Sequence, residues 1–377
     1  MALPSQALKK MVVFVLRGLP NPVGSGHFFM TSLFAFFSVL IAIPLVCKLA
    51  GRAGFLDNPE GRKQHEVPVP PLGGITIFTI FLMIMSVLGG LPWAVFGALA
   101  LMLVVGIVDD ARGMNAKLKF ALHFTSAFVM VLGGGAQLHS LGNLLGLGDV
   151  TLGFFAIPFS IACVVYVQNA VNMMDGVDGL AGGYSLIVFG WLLVAAIGGS
   201  YDDVVVQISI LMACLSGFLV YNMRSPIRSR AIIFLGDAGS MALGLMIAWF
   251  AITLSQQPYA VINPASVAWL IALPIFDSFA LLVARLKDGK HPFAPDRRHF
   301  HHHFIHAGFS AGQTTFLILA YSILLGSIGF FAPRMGVPDF VLGWGWVALW
   351  AGHTALTIHA DQFIRLLARV RSGILNQ

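Results

Sequence analysis

The sequence predicts an all-α, polytopic membrane protein with about eleven transmembrane helices, and three observations carry that expectation. The 377 residues are 58% hydrophobic and only 10% charged, against roughly 25% charged residues in an ordinary soluble domain. Apolar runs long enough to cross about 30 Å of hydrocarbon recur along the chain. Basic residues concentrate in alternate connections between those runs, the asymmetry that orients membrane helices.

The elements follow in order. Residues 1–26 carry Lys9, Lys10 and Arg17 around a short apolar piece and, lacking a clear small-residue cleavage site, read as a retained N-terminal extension. One membrane domain over 27–360 is expected to hold spans at 27–48, 72–90, 91–109, 118–135, 153–174, 179–199, 203–223, 236–254, 264–286, 312–332 and 338–360. Gly89, Gly90 and Pro92 separate the second run from the third as a tight turn between antiparallel helices. Residues 361–377 then form a cytoplasmic tail. If the first span runs inward, the cytoplasmic connections hold 18 of the 22 Lys and Arg, from Lys48 and Arg52 to Arg369 and Arg371. Lys9, Lys10 and Arg17 argue the other way.

The net charge of +6 and a pI near 9.4 do not point to nucleic acid, because the basic residues sit in short loops rather than in a soluble domain. Anionic lipid headgroups and an anionic substrate account for them better. Cys47, Cys163 and Cys214 lie in apolar runs without metal-ligand spacing, so no disulfide framework is indicated. No internal repeat, low-complexity linker or second domain is evident.

Acids are scarce, and of 16 only Glu60 and Glu66 are glutamates. The shorter aspartate fixes a hard cation with less freedom, though short loops also favour it as a turn former. Position separates these readings, because carboxylates at membrane helix ends are expensive. Asp109 and Asp110 end the third span; adjacent helical residues point about 100° apart, so one is expected to face a site while the other orients a neighbour. The run from Asn169 to Gly179 sets Asn169, Asn172, Asp175 and Asp178 at three-residue steps, where side chains share a helix face. Gly176 and Gly179 let its backbone turn and approach a ligand. Asn beside Asp limits negative charge, which suits Mg²⁺ held partly by substrate phosphates.

Asp237 opens the eighth span between two glycines. It suits an N-cap, and equally a carboxylate holding a cation against a phosphate at a helix N-terminus. After the ninth span comes PDRRHFHHHF, Pro295 to Phe304, where Arg297 and Arg298 beside His299, His301, His302 and His303 favour phosphate over zinc. With the expected topology, all four motifs meet in one cleft on the cytoplasmic face.

Together these blocks resemble the polyprenyl-phosphate N-acetylhexosamine-1-phosphate transferases, most closely the bacterial undecaprenyl-phosphate N-acetylglucosamine-1-phosphate branch of glycosyltransferase family 4. The resemblance runs from about Leu45 to Phe309 and includes Asp57, Arg62, Lys63, His65 and Leu72-Gly73-Gly74. It implies lipid-phosphate aspartates at Asp109 and Asp110 and Mg²⁺, or Mn²⁺, on Asn172 and Asp237. Nucleotide-sugar contacts are implied at Asp175 and Asp178, and substrate contacts at Lys63, His65, Lys119 and Arg297. His299, His301 and His302 match the histidines of a DRxHxHH pattern; Phe300 and His303 depart from it. The implied reaction moves a sugar 1-phosphate from a UDP-N-acetylaminosugar to undecaprenyl phosphate and releases UMP. It would initiate a cell-surface glycan, such as O-antigen in lipopolysaccharide biosynthesis, in the bacterial inner membrane.

The sequence leaves open the exact sugar, the glycan pathway and a homodimer. The rival class is an ion-coupled secondary transporter, for which Asp277 is the one plausible mid-membrane acid. That residue is read instead as closing an interhelical hydrogen bond. A zinc hydrolase is disfavoured by the missing HExxH.

Overall fold

The computed structural model describes residues 22–57, 67–88, 90–225, 228–291, 296 and 298–375. Among these residues there are fourteen α-helices and no strand. Three long helices and a shorter one open the chain: α1 (Pro22–Ala53), α2 (Gly73–Leu88), α3 (Trp93–Arg112) and α4 (Ala116–Gly133). The middle holds α5 (Ala156–Met174), α6 (Leu180–Gly199), α7 (Asp202–Asn222) and α8 (Gly236–Ser255). They are followed by α9 (Pro264–Leu270), α10 (Ala272–Lys287), α11 (Phe300–His306), α12 (Ala311–Arg334), α13 (Asp339–Ile358) and α14 (Ala360–Leu375).

Successive helices run between two ends of one bundle. At one end the start of α2 is fastened to the loop before α8, where Gly73 and Gly74 N–H donate to the carbonyls of Phe234 and Leu235 at 2.9 and 2.8 Å. At the other end Gln256 holds the α4–α5 connection, accepting from His139 and Ser140 N–H at 2.9 and 3.1 Å and donating to the Ser140 carbonyl at 3.0 Å. A backbone loop inside apolar surroundings needs such partners.

The core is α8, buried along nearly its whole length and packed against α2, α3, α5, α6 and α9. Lipid is as apolar as leucine, so close packing must replace the hydrophobic drive between membrane helices, and small residues supply it. A Cβ on Gly74 would lie 2.0 Å from Gly239 Cα, and one on Gly106 2.0 Å from Ala238 Cα. Those approaches bring the ends of α2 and α3 against the first turn of α8.

The expected count of about eleven spans is not confirmed. Among the described residues, eight helices are long and apolar enough to cross a membrane, or nine if α9 and α10 are one bent span. The expected span 72–90 is a helix of only 16 residues, about 24 Å at 1.5 Å per residue, because its start is tied down by the loop before α8. The expected span 264–286 bends by 74° between α9 and α10. Pro274 has no N–H to offer the Leu270 carbonyl one turn back, and the Tyr184 hydroxyl reaches that carbonyl at 3.4 Å. In the expected span 338–360, glycines, His353 and two threonines dilute the apolar character of α13.

Candidate active site

Four helix ends build the site. Asp109, in the last turn of α3, accepts from Met114 N–H at 2.7 Å and thereby fixes the turn into α4. From the first turn of α4, the Lys119 ammonium lies 2.6 Å from Asp109 Oδ2 and 2.5 Å from Asp237 Oδ2. One cation thus joins two carboxylates that are far apart in sequence. Asn172, in the last turn of α5, donates to Asp237 Oδ1 at 2.9 Å and to Ser240 Oγ at 2.8 Å. The four expected residues Asp109, Lys119, Asn172 and Asp237 form one hydrogen-bonded chain.

Asp110 has the orienting role. Its carboxylate accepts from Asp237 N–H at 3.1 Å and Ala238 N–H at 3.4 Å, so α3 caps the N-terminus of α8. Asp237 is therefore not the cap of its own helix, and its side chain is free for Lys119 and Asn172. Gly236 makes the approach possible: its φ is +74°, and a Cβ there would meet Asp110 Oδ2 at 2.7 Å and the Pro71 carbonyl at 2.4 Å.

The loop between α5 and α6 supplies the next wall. Water reaches Asp175, yet the carboxyl sits deep in the cleft; surrounding protein and the charges of Asp237, Asp110 and Asp178 push its pKa up to about 8. Asp178 takes a different partner, Arg224 Nε at 2.7 Å, and its carbonyl accepts from Thr315 Oγ1 at 2.9 Å. Asn222 holds the loop through Gly179 N–H at 2.8 Å. Asn169, although three residues before Asn172, points elsewhere and meets His123 Nδ1 at 3.1 Å.

The histidine segment forms the opposite wall. Asp277 on α10 binds His299 Nδ1 at 2.8 Å and accepts from Phe300 N–H at 2.8 Å. The expected interhelical bond is present, from α10 to the first residue of α11, and with it Asp277 fastens α10 to the histidine segment. Upstream, Arg298 bridges Asp296 at 2.8 Å and Asp288 at 2.9 Å. Burial alone would raise the Asp296 pKa, but the Arg298 contacts outweigh it and pull it to about 2. The rings of His299 and His301 are stacked at 5.7 Å, with His302 4.3 Å from His301. Burial lowers the His301 pKa to about 3, so that ring is neutral at any ordinary pH. A Cβ on Gly176 would lie 2.5 Å from His301 Nε2, which shows how closely the two walls meet.

Between them is a cavity of about 590 Å³, lined by Asp109, Asp110, Asp175, Asp178 and Asp237 on one side and His299, His301 and His302 on the other. Lys119 and Asn172 stand immediately behind Asp237. Lys63, His65 and Arg297 lie outside the described residues. The sequence reading missed Arg224, Asn222 and Asp277 as site-building groups. Arg224 counted only as a loop cation, and Asn222 ends an apolar run with no motif around it.

The donor set is compatible with a hard divalent cation. Asp109 and Asp237 already converge on a positive charge, and their oxygens are the ligands such an ion takes. Among the described residues no group of three or more His, Cys, Asp or Glu is placed to hold a metal by itself.

Residues 92–255, from the start of α3 to the end of α8, match the family model described as glycosyl transferase family 4. Over 324 residues the chain is 32% identical to the undecaprenyl-phosphate alpha-N-acetylglucosaminyl 1-phosphate transferase of Escherichia coli K12, covering 84% of each chain. Proteins of the same name from Yersinia pestis and Haemophilus influenzae are 31% and 29% identical. The alignments cover 78% of this chain and 82% of the first, and 91% and 96% for the second.

Proposed function

Because the chain belongs to glycosyl transferase family 4, we propose that it transfers N-acetylglucosamine 1-phosphate from UDP-N-acetylglucosamine to undecaprenyl phosphate. An oxygen of the lipid phosphate attacks the sugar-bearing phosphorus of the donor. The bond from that phosphorus to the bridging oxygen breaks, and UMP leaves with the electron pair. The lipid-linked pyrophosphoryl sugar remains in the membrane.

The observation that carries this reading is the ion-paired chain Asp109–Lys119–Asp237–Asn172 at the edge of a cavity open to both aspartates and histidines. Nucleophile and electrophile are both anionic, so the barrier is chiefly repulsion, which preorganised positive charge lowers. Lys119 is held where a pyrophosphate would arrive and can exchange a carboxylate for a phosphate oxygen. Asp109 would then orient the acceptor phosphate delivered from the bilayer side. Asp175 and Asp178, in the glycine-containing loop, would contact the nucleotide sugar, while neutral His301 and its neighbours His299 and His302 would offer N–H donors to phosphate oxygens. Asp237 and Asn172 would hold Mg²⁺ or Mn²⁺, which when bound supplies charge neutralisation for the pyrophosphate.

The site is read as facing the cytoplasm of a bacterial inner membrane, since the basic loops share its end of the bundle. A secondary transporter would keep its acids near mid-membrane; here the acids cluster at helix ends, and Asp277 is engaged by the histidine segment. The test is release of UMP by the purified chain, expected only with both undecaprenyl phosphate and a divalent cation. Release with neither, or none with any UDP-N-acetylaminosugar in a panel, would sink the proposal.

A further inference from the structure

The helix α14 has three faces, and among the described residues only one of them packs against the bundle. Phe363, on its inner face, lies parallel to Phe300 at 6.2 Å and edge-on to His303 at 5.5 Å, packing α14 against the histidine-bearing α11. Leu367, one turn on, continues that contact with the core. A second row, Leu366 and Val370, is four residues apart and so shares a face. These side chains are 54% and 51% exposed. A third row, Arg365 and Arg369, runs beside it and is exposed to the surroundings. Asp361 is the one acid in the helix.

An apolar row edged by arginines, on a helix that directly follows α13 at a single non-helical residue, His359, is the composition of a helix lying in a membrane interface. We propose that α14 binds the anionic surface of the bilayer that holds the bundle. Leu366 and Val370 enter the boundary between headgroups and acyl chains, and Arg365 and Arg369 meet lipid phosphates. The charge of the third row beside the apolar second row favours this occupant over a protein partner, and continuity with α13 keeps the helix within reach of the surface. Phe363 and Arg371 then link membrane to site: Arg371 closes on Gly308, where a Cβ would lie 2.6 Å from its Nη1. The histidine segment is braced from outside by a lipid-anchored helix.

The test uses the full chain in nanodiscs, with Cys47 and Cys163 replaced by Ser and a bimane label on Val370→Cys. Brominated phosphatidylcholine should quench the label, and inclusion of brominated phosphatidylglycerol should make quenching about twofold stronger. Arg365→Gln with Arg369→Gln should remove that anionic increment. A label on Asp361→Cys should instead be quenched by iodide from water, and Leu366→Cys reads the same apolar row if Val370→Cys does not fold. Quenching at 370 by iodide and not by brominated lipid would overturn the proposal. Protection from both quenchers would also overturn it, since it would mean that a protein covers this face.

Discussion

Asp109 and Asp110 are neighbours in sequence with separate duties, because successive residues of a helix diverge by about 100°. Asp109 faces Lys119, while Asp110 caps α8. Asp110→Ala should therefore lower stability by about 1 kcal/mol, the usual worth of a cap, in thermal melts in detergent. Asp109→Asn should leave the melt nearly unchanged and depress transfer. Asp237→Asn should lower UMP release on the order of 10²-fold or more while the protein stays folded. His303 offers a different reading, being buried with neither ring nitrogen hydrogen-bonded among the described residues. Burial lowers its pKa from 6.5 to about 4. The unfolded chain therefore takes up a proton below pH 6.5 that the folded chain refuses, and stability falls as pH drops from 6.5 toward 4. His303→Phe should raise the melting temperature, with the gain growing between pH 7.5 and pH 5. At this scale the aspartates were legible because a carboxylate at a membrane helix end is too costly to be idle. Arg224, which pairs with Asp178, and Asn222, which holds Gly179, were not, since pairing depends on which helix ends become neighbours.

Helix by helix, long apolar runs announced most elements, and the turn at Gly90 and Pro92 fell where the glycines and proline put it. What apolarity could not report was continuity. The run 264–286 contains Pro274, which breaks it into α9 and α10, and that break turns α10 so that Asp277 meets the histidine segment. Nor does apolarity report which glycines are contacts: Gly74 and Gly239 meet at a crossing where no side chain fits. Gly74→Ala should lower stability by about 1–3 kcal/mol through overpacking, measured as the midpoint of thermal unfolding. Gly51→Ala, with nothing within 4 Å of its new methyl group, is the matched control and should melt like the parent.

Across the whole molecule, the charge pattern foretold that the motifs would share one end, and among the described residues they do. Single cysteines at Arg228, Lys290 and Arg371 should react with a membrane-impermeant thiol reagent from the same side, and one at Ser140 from the other. Labelling of Arg228 and Lys290 from opposite sides would break the one-cleft arrangement. Span number was less legible, because a helix shortened by tethering or diluted by glycine and histidine has no distinct signature in composition. The central place of α8 also bears on how the protein is made. Four of its five neighbours, α2, α3, α5 and α6, precede it in the chain, so Asp109, Lys119 and Asn172 are synthesised before the helix that packs among them. Synthesis of α8 fills the slot between those neighbours and brings Asp237 to its partners in the same movement. The residue that completes the Asp109–Lys119–Asn172 chain thus arrives with the helix that fills the slot, and α9 and the histidine segment close over them afterwards.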